Sequence, residues 1–135
     1  MFTLDSRLSA DNYVIGDLKI SRLLLSNNAN YPWLILVPRR ENLVELTDLS
    51  FADQTEVLRE INQVSKMLQE KFAPHKINIA TLGNMVRQLH IHVIARFEND
   101  AAFPNPVWGG AKKIYEKADA EKLVKELQLI LKENE

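Results

Sequence analysis

One stretch constrains the fold more than any other. Between Phe51 and Phe72 the residues Val57, Leu58, Ile61, Val64, Met67, Leu68 and Phe72 recur at steps of three and four. That spacing draws a single apolar stripe along about five turns of helix. Glu56, Arg59, Glu60, Asn62, Gln63, Lys66, Gln69 and Glu70 make the polar side. Asp48 or Ser50 can cap the start, Asp53 falls in the first turn where a carboxylate meets the positive end of the helix dipole, and Pro74 ends the helix. Such a stripe needs an apolar surface to lie on.

The flanking sequence supplies strands. Met1 to Asp17 is mixed, and Gly16-Asp17 reads as a turn into a strand over Leu18–Leu25. Ser26 to Pro32 is a loop, because its asparagines bond their own backbone and its proline cannot continue a ladder. Trp33–Val37 is an unbroken apolar run between two prolines, which suits a central strand. Arg39-Arg40 reads as that strand's polar edge rather than as a phosphate clamp. After the helix, Lys76–Thr81 alternates, with Asn78 on the face away from Ile77 and Ile79. Leu82-Gly83-Asn84-Met85 is the expected turn, and a strand running to about Phe97 completes an antiparallel hairpin. Ala101 to Gly110 is too rich in proline and glycine for regular structure, and from Ala118 the stripe Leu123, Val124, Leu127, Ile130, Leu131 marks a C-terminal helix. The sum is one α+β domain over residues 1–135: an antiparallel sheet of about five strands, one long central helix and a C-terminal helix.

Composition narrows the function. The 135 residues include no cysteine, which removes disulfides, zinc ribbons and thiol nucleophiles. Seventeen basic against eighteen acidic residues leave a net charge of −1, so no nucleic-acid partner is expected. The N-terminus carries no signal-peptide pattern and no apolar stretch is long enough to span a membrane, so a soluble, cytoplasmic protein is the expectation.

The chemistry concentrates in Gln88-Leu89-His90-Ile91-His92-Val93-Ile94. Read with period two, Leu89, Ile91 and Val93 share one strand face and Gln88, His90, His92 and Ile94 the other. Two of the three histidines then stand side by side, their Cα atoms about 6.5 to 7 Å apart. Three uses compete. Both rings can be structural, each with its own polar partner on one face. They can begin a metal site, whose further ligands would have to be His75 or carboxylates such as Glu98. Or one ring attacks a phosphorus while the other holds the phosphoryl group. His75, in a helix-ending turn, reads as exposed and inert; Trp33 and Trp108 read as core or interface residues.

The heptapeptide resembles the signature of the histidine triad (HIT) family, histidine-φ-histidine-φ-histidine-φ-φ with φ apolar. Trp33–Arg39 is similar to that family's strand ending in proline and a basic residue, and helix 51–72 and hairpin 77–97 come in the family's order. Asn78 and Gly83-Asn84 match an asparagine and a Gly-Gln pair that line the nucleotide site in relatives. Leu18 to Phe97 carries the resemblance; the C-terminal third is similar to bacterial diadenosine tetraphosphate hydrolase-like members.

That resemblance implies a HIT-like fold, usually a homodimer, which hydrolyses or transfers nucleoside phosphates with no metal or other cofactor required. Dinucleoside polyphosphates and nucleoside phosphoramidates are the implied substrates. It makes His90 the nucleophile that forms a nucleotidyl-histidine and His92 the ligand of the phosphate or leaving group. Asn78, Gly83, Asn84 and Gln88 are implied around the phosphates, and Asn27 falls in the loop where relatives bind ribose. Two positions depart from the pattern. Gln88 replaces the first motif histidine and can bond but not carry charge; Trp33 replaces a further histidine found in many relatives. A nucleotide-binding module with weak or no turnover is the alternative those departures raise.

Overall fold

In the computed structural model, which describes residues 1–134, the chain forms a five-stranded antiparallel sheet in the order β1-β2-β3-β5-β4. A short helix α1 (Ser6–Ala10) precedes β1 (Asn12–Asp17), β2 (Ser21–Ser26) and β3 (Trp33–Pro38). Helix α2 (Phe51–Phe72) crosses to β4 (Lys76–Ala80) and β5 (Ile91–Arg96), and α3 (Lys117–Glu133) closes the chain. The long helix keeps the expected bounds. Ser50 rather than Asp48 caps it, its Oγ accepting from Asp53 N at 3.1 Å, and it ends in a left-handed Ala73 (φ 48°) before Pro74. Asp48 instead caps a short 3-10 turn over Leu46–Asp48.

Alternation in the strands decides which side chains meet the helices. Leu23 and Leu25 of β2, Leu34 and Leu36 of β3, and Ile91, Val93 and Ala95 of β5 pack on Val57, Val64, Met67 and Leu68 of α2 and Leu127 of α3. The opposite face carries Leu24, Trp33, Ile35, Val37 and Ile94, joined by Leu8, Tyr31 and Val107. Among the described residues no helix is long and apolar enough to cross a membrane.

Several expectations from sequence are corrected. Gly16-Asp17 is no turn: both lie in β1, whose register against β2 shifts between Val14 and Gly16. The reversal comes later, where Leu18 N donates to Ser21 O at 2.8 Å. Bulged alternation hid β1 in the sequence. The link between β4 and β5 runs through residues 81–90 rather than four, since Ala80 pairs with His92 and β5 starts only at Ile91. Glu60 is not on the solvent side of α2. It is 2% exposed, and its carboxylate accepts from Ile20 N (2.7 Å) and Ser21 N (3.1 Å), fastening the β1–β2 turn to the helix.

Candidate active site

His90 and His92 point to the same side of the sheet, as their spacing requires. His92 pairs with Ile35 on one flank and Ala80 on the other, so its side chain shares the face of Ile35, Trp33 and Ile94. The two imidazole centroids are 5.0 Å apart and meet edge to face. Both rings are mostly covered, 7% and 6% exposed. Trp108, from the loop after β5, sets its ring 5.0 Å from His92 and 5.7 Å from Trp33.

The partners of the two rings assign their protons. His90 Nδ1 lies 2.6 Å from the carbonyl oxygen of Gln88. A carbonyl only accepts, so Nδ1 carries the proton, and in the neutral ring Nε2 keeps its lone pair. Trp33 Nε1–H donates to His92 Nδ1 at 2.9 Å. An indole N–H only donates, so His92 Nδ1 is bare and its proton sits on Nε2. The neighbouring imidazoles thus present opposite tautomers, one an electron-pair donor and the other an N–H donor. Burial, followed by the adjacent His90, pushes the His92 proton affinity down from 6.5 to about 3. The buried polar side-chain atoms lacking a partner among the described residues are Ser21 Oγ, Tyr31 OH, Arg39 Nε and Ser65 Oγ. Neither imidazole Nε2 is one of these.

A second buried polar cluster supports the same face. Arg96, two alternate positions beyond His92 on β5, is 2% exposed. Its guanidinium makes a two-pronged bond to Asp100 (2.8 and 3.1 Å), donates to Asn78 Oδ1 (2.9 Å) and to Asn105 O (2.8 Å), and lies 5.4 Å from the Tyr31 ring. Asp100 also accepts from Phe97 N, Ala102 N and Phe103 N. Burial alone would raise the Asp100 carboxyl, but Arg96 and the three N–H groups outweigh it and hold it well below the ordinary carboxylate range. This pair fixes the loop that carries Val107 and Trp108 against the sheet. Sequence reading missed it, although Arg96 continues the His90–His92 alternation and Asp100 follows at i+4.

The remaining candidates have varied surroundings. Asn78 does lie on the histidine face, opposite Ile94, with its carbonyl taken by Arg96. Gln88 is occupied at both ends of its amide: Oε1 accepts from Asp5 N (2.8 Å) and Nε2 donates to Thr3 O (2.9 Å). Where the family motif has an imidazole, this chain ties down its N-terminal segment. Asn27 Oδ1 accepts from Tyr115 N at 2.9 Å, which anchors the segment before α3. Gly83, with φ 71°, turns the β4–β5 link, and Asn84 beside it is exposed. Arg40 pairs with Asp53 and Arg39 donates to Leu18 O, as expected of a strand edge. His75 is half-exposed, 3.6 Å from Glu98. Among the described residues no three His, Asp or Glu side chains are grouped as metal ligands. A cavity of about 500 Å³ between α2, α3 and the β1–β2 turn contains neither site histidine.

An antiparallel sheet backed by one long helix, with two imidazoles on the face away from that helix, defines a class of fold that known proteins share. The HIT domain profile matches residues 7–99 of the 135, and the chain belongs to the HIT domain family. A histidine triad protein of Bradyrhizobium japonicum is similar in structure at 44% identity, with 94% of this chain and 96% of that one covered and a TM-score of 0.90. A histidine triad (HIT) protein of Sinorhizobium meliloti matches at 42% identity, 93% of each chain and a TM-score of 0.89. One from Marinobacter aquaeolei matches at 38% identity, 98% of each chain and a TM-score of 0.94. No curated protein matches the chain.

Proposed function

We propose that the protein is a nucleotide-binding hydrolase or nucleotidyltransferase that works through a nucleotidyl-histidine on His90. What supports this is the pair of imidazoles with ring centroids 5.0 Å apart, whose Nδ1 partners imply opposite tautomers, one able to attack and the other to bond a phosphate oxygen. His90 Nε2 forms the bond to the α-phosphorus as the bond to the leaving group breaks, and the leaving group takes that electron pair. The Gln88 carbonyl steadies the positive charge that develops on His90, through Nδ1–H. His92 Nε2–H bonds a non-bridging or leaving oxygen. Water then attacks phosphorus, the P–N pair returns to His90 Nε2, and the proton of the attacking water goes to solvent. A second nucleophile in place of water gives the transferase. No metal is required by these steps.

Dinucleoside polyphosphates such as diadenosine tetraphosphate and nucleoside phosphoramidates are the substrate classes, with Gly83 and Asn84 nearest in kind to a phosphate cradle. Asn78, Gln88 and Asn27 act indirectly, through Arg96, the N-terminal segment and the segment before α3. A homodimer in the cytoplasm completes the proposal. The nearly closed rings and the loss of two supporting histidines favour a second reading, a nucleotide-binding module without turnover. A hydrolysis panel of adenine and guanine nucleotides on wild type and His90→Ala separates them. Turnover that vanishes in His90→Ala supports the enzyme; ligand-induced thermal shifts with no product from any substrate support the module.

A further inference from the structure

The bond from Trp33 to His92 has a consequence for which nucleotides the site can cleave. Trp33 is 8% exposed and wedged edge to face between Tyr31 (6.3 Å) and Trp108 (5.7 Å), so its indole N–H is held on His92 Nδ1. A second proton on His92 would have to displace that donor and would sit beside His90. Among the described residues no carboxylate is hydrogen-bonded or salt-bridged to the ring. From β3 it meets Ile35 and Trp33, from β4 Ala80, from the following loop Trp108, and on its own face Arg96, already matched by Asp100. Tyr31, beyond Trp33, ionises only above its ordinary range because it is buried. Gln88, where the motif has an imidazole, supplies no acid either.

Resting on the nucleotidyl-histidine reading above, we infer that Trp33 is a positioning residue that keeps His92 a neutral N–H donor and not an acid, so that the enzyme favours phosphoanhydrides over phosphoramidates. When His90 attacks a phosphoanhydride, the P–O bond breaks and a phosphate anion leaves with the pair, stable without a proton. When it attacks a phosphoramidate, the P–N bond breaks and the amine must gain a proton as it departs. A neutral imidazole N–H cannot give one at useful rates. General acid catalysis contributes about 10²–10⁴-fold where it operates, and that contribution is what the amine leaving group loses here.

Two measurements test this. Side-chain ¹⁵N NMR of wild type near pH 6 should show His92 protonated at Nε2 alone. Kinetics should show kcat/KM for diadenosine tetraphosphate exceeding that for adenosine 5′-phosphoramidate by about 10²-fold or more. Trp33→His, which restores a titratable partner, should reduce that ratio at least about tenfold and add an acidic limb to the phosphoramidate pH profile, and Trp33→Phe, which only removes the donor from Nδ1, should narrow the ratio in the same direction but by less. A proton on His92 Nδ1 in wild type, or a phosphoramidate cleaved as fast as the anhydride, overturns the inference. If neither substrate is turned over, it is the enzymatic reading that has failed, and the leaving-group preference fails with it while the NMR still decides the tautomer.

Discussion

The two faces of this sheet are built from the same strands and do different work. Toward the helices, β2, β3 and β5 present mainly leucine, isoleucine, valine and alanine, and outside the Ser21–Glu60 contact the packing is dispersive. On the other face, β3 and β5 alternate Trp33, Ile35, His92, Ile94 and Arg96, and the Trp33 indole, both imidazole Nδ1 atoms and the Arg96 guanidinium have specific partners. The first face rewards volume, the second geometry. A methylene lost from the aliphatic layer weakens the fold in proportion to the cavity it leaves. On the polar face a lost partner strands a buried group and changes what the site can do.

That contrast predicts different outcomes for substitutions on the two faces. The largest effect is expected for His90→Ala, a loss of turnover of at least about 10⁴-fold with a denaturation midpoint close to wild type. Arg96→Met comes next: it leaves Asp100 buried without its cation and should lower stability by about 3–5 kcal/mol in urea denaturation. Adding Asp100→Leu should recover part of that loss, because the orphaned charge goes with it. Leu36→Ala, on the helix face, should lower stability by about 2–5 kcal/mol yet leave kcat intact wherever the protein stays folded. If Leu36→Ala altered kcat as strongly as stability, the division between the faces would be wrong.

Acid should probe the polar face selectively. His92 binds a proton less readily folded than unfolded, so its contribution is complete above about pH 6.5 and declines toward about pH 3. The expected slope is up to about 1.4 kcal/mol per pH unit in that window. Asp100 has the same direction: its stabilisation is present above its ordinary value of 3.8 and is lost as pH falls further. His92→Gln should flatten the stability profile between about pH 6 and pH 4 and leave the steeper fall below it. The smallest change is expected for Tyr31→Phe, which removes a buried hydroxyl with no partner among the described residues and should shift stability by about 1 kcal/mol or less, toward greater stability.

What could be read in advance followed from periodicity. The 3.6-residue stripe gave α2 its bounds, the proline-bracketed run gave β3, and period two put His90 and His92 on one face. The misses share a cause: side chains whose roles depend on distant partners. Glu60 looks solvated until the Ile20 and Ser21 amides arrive from another strand, and Arg96 looks like a strand end until Asp100 folds back on it. Gln88 reads as a phosphate ligand from the motif, and only the fold reveals Thr3 and Asp5 at its amide. β1 escaped because its bulge breaks the alternation that would have marked it.

The most direct test is a rapid acid or base quench of wild type turning over a labelled dinucleotide, followed by peptide mass spectrometry and ³¹P NMR of the trapped protein. A nucleotide bound through phosphorus to His90 Nε2, and absent from His90→Ala, is the predicted result. A trapped nucleotide on His92 or on another residue, or turnover in His90→Ala equal to wild type, would contradict it.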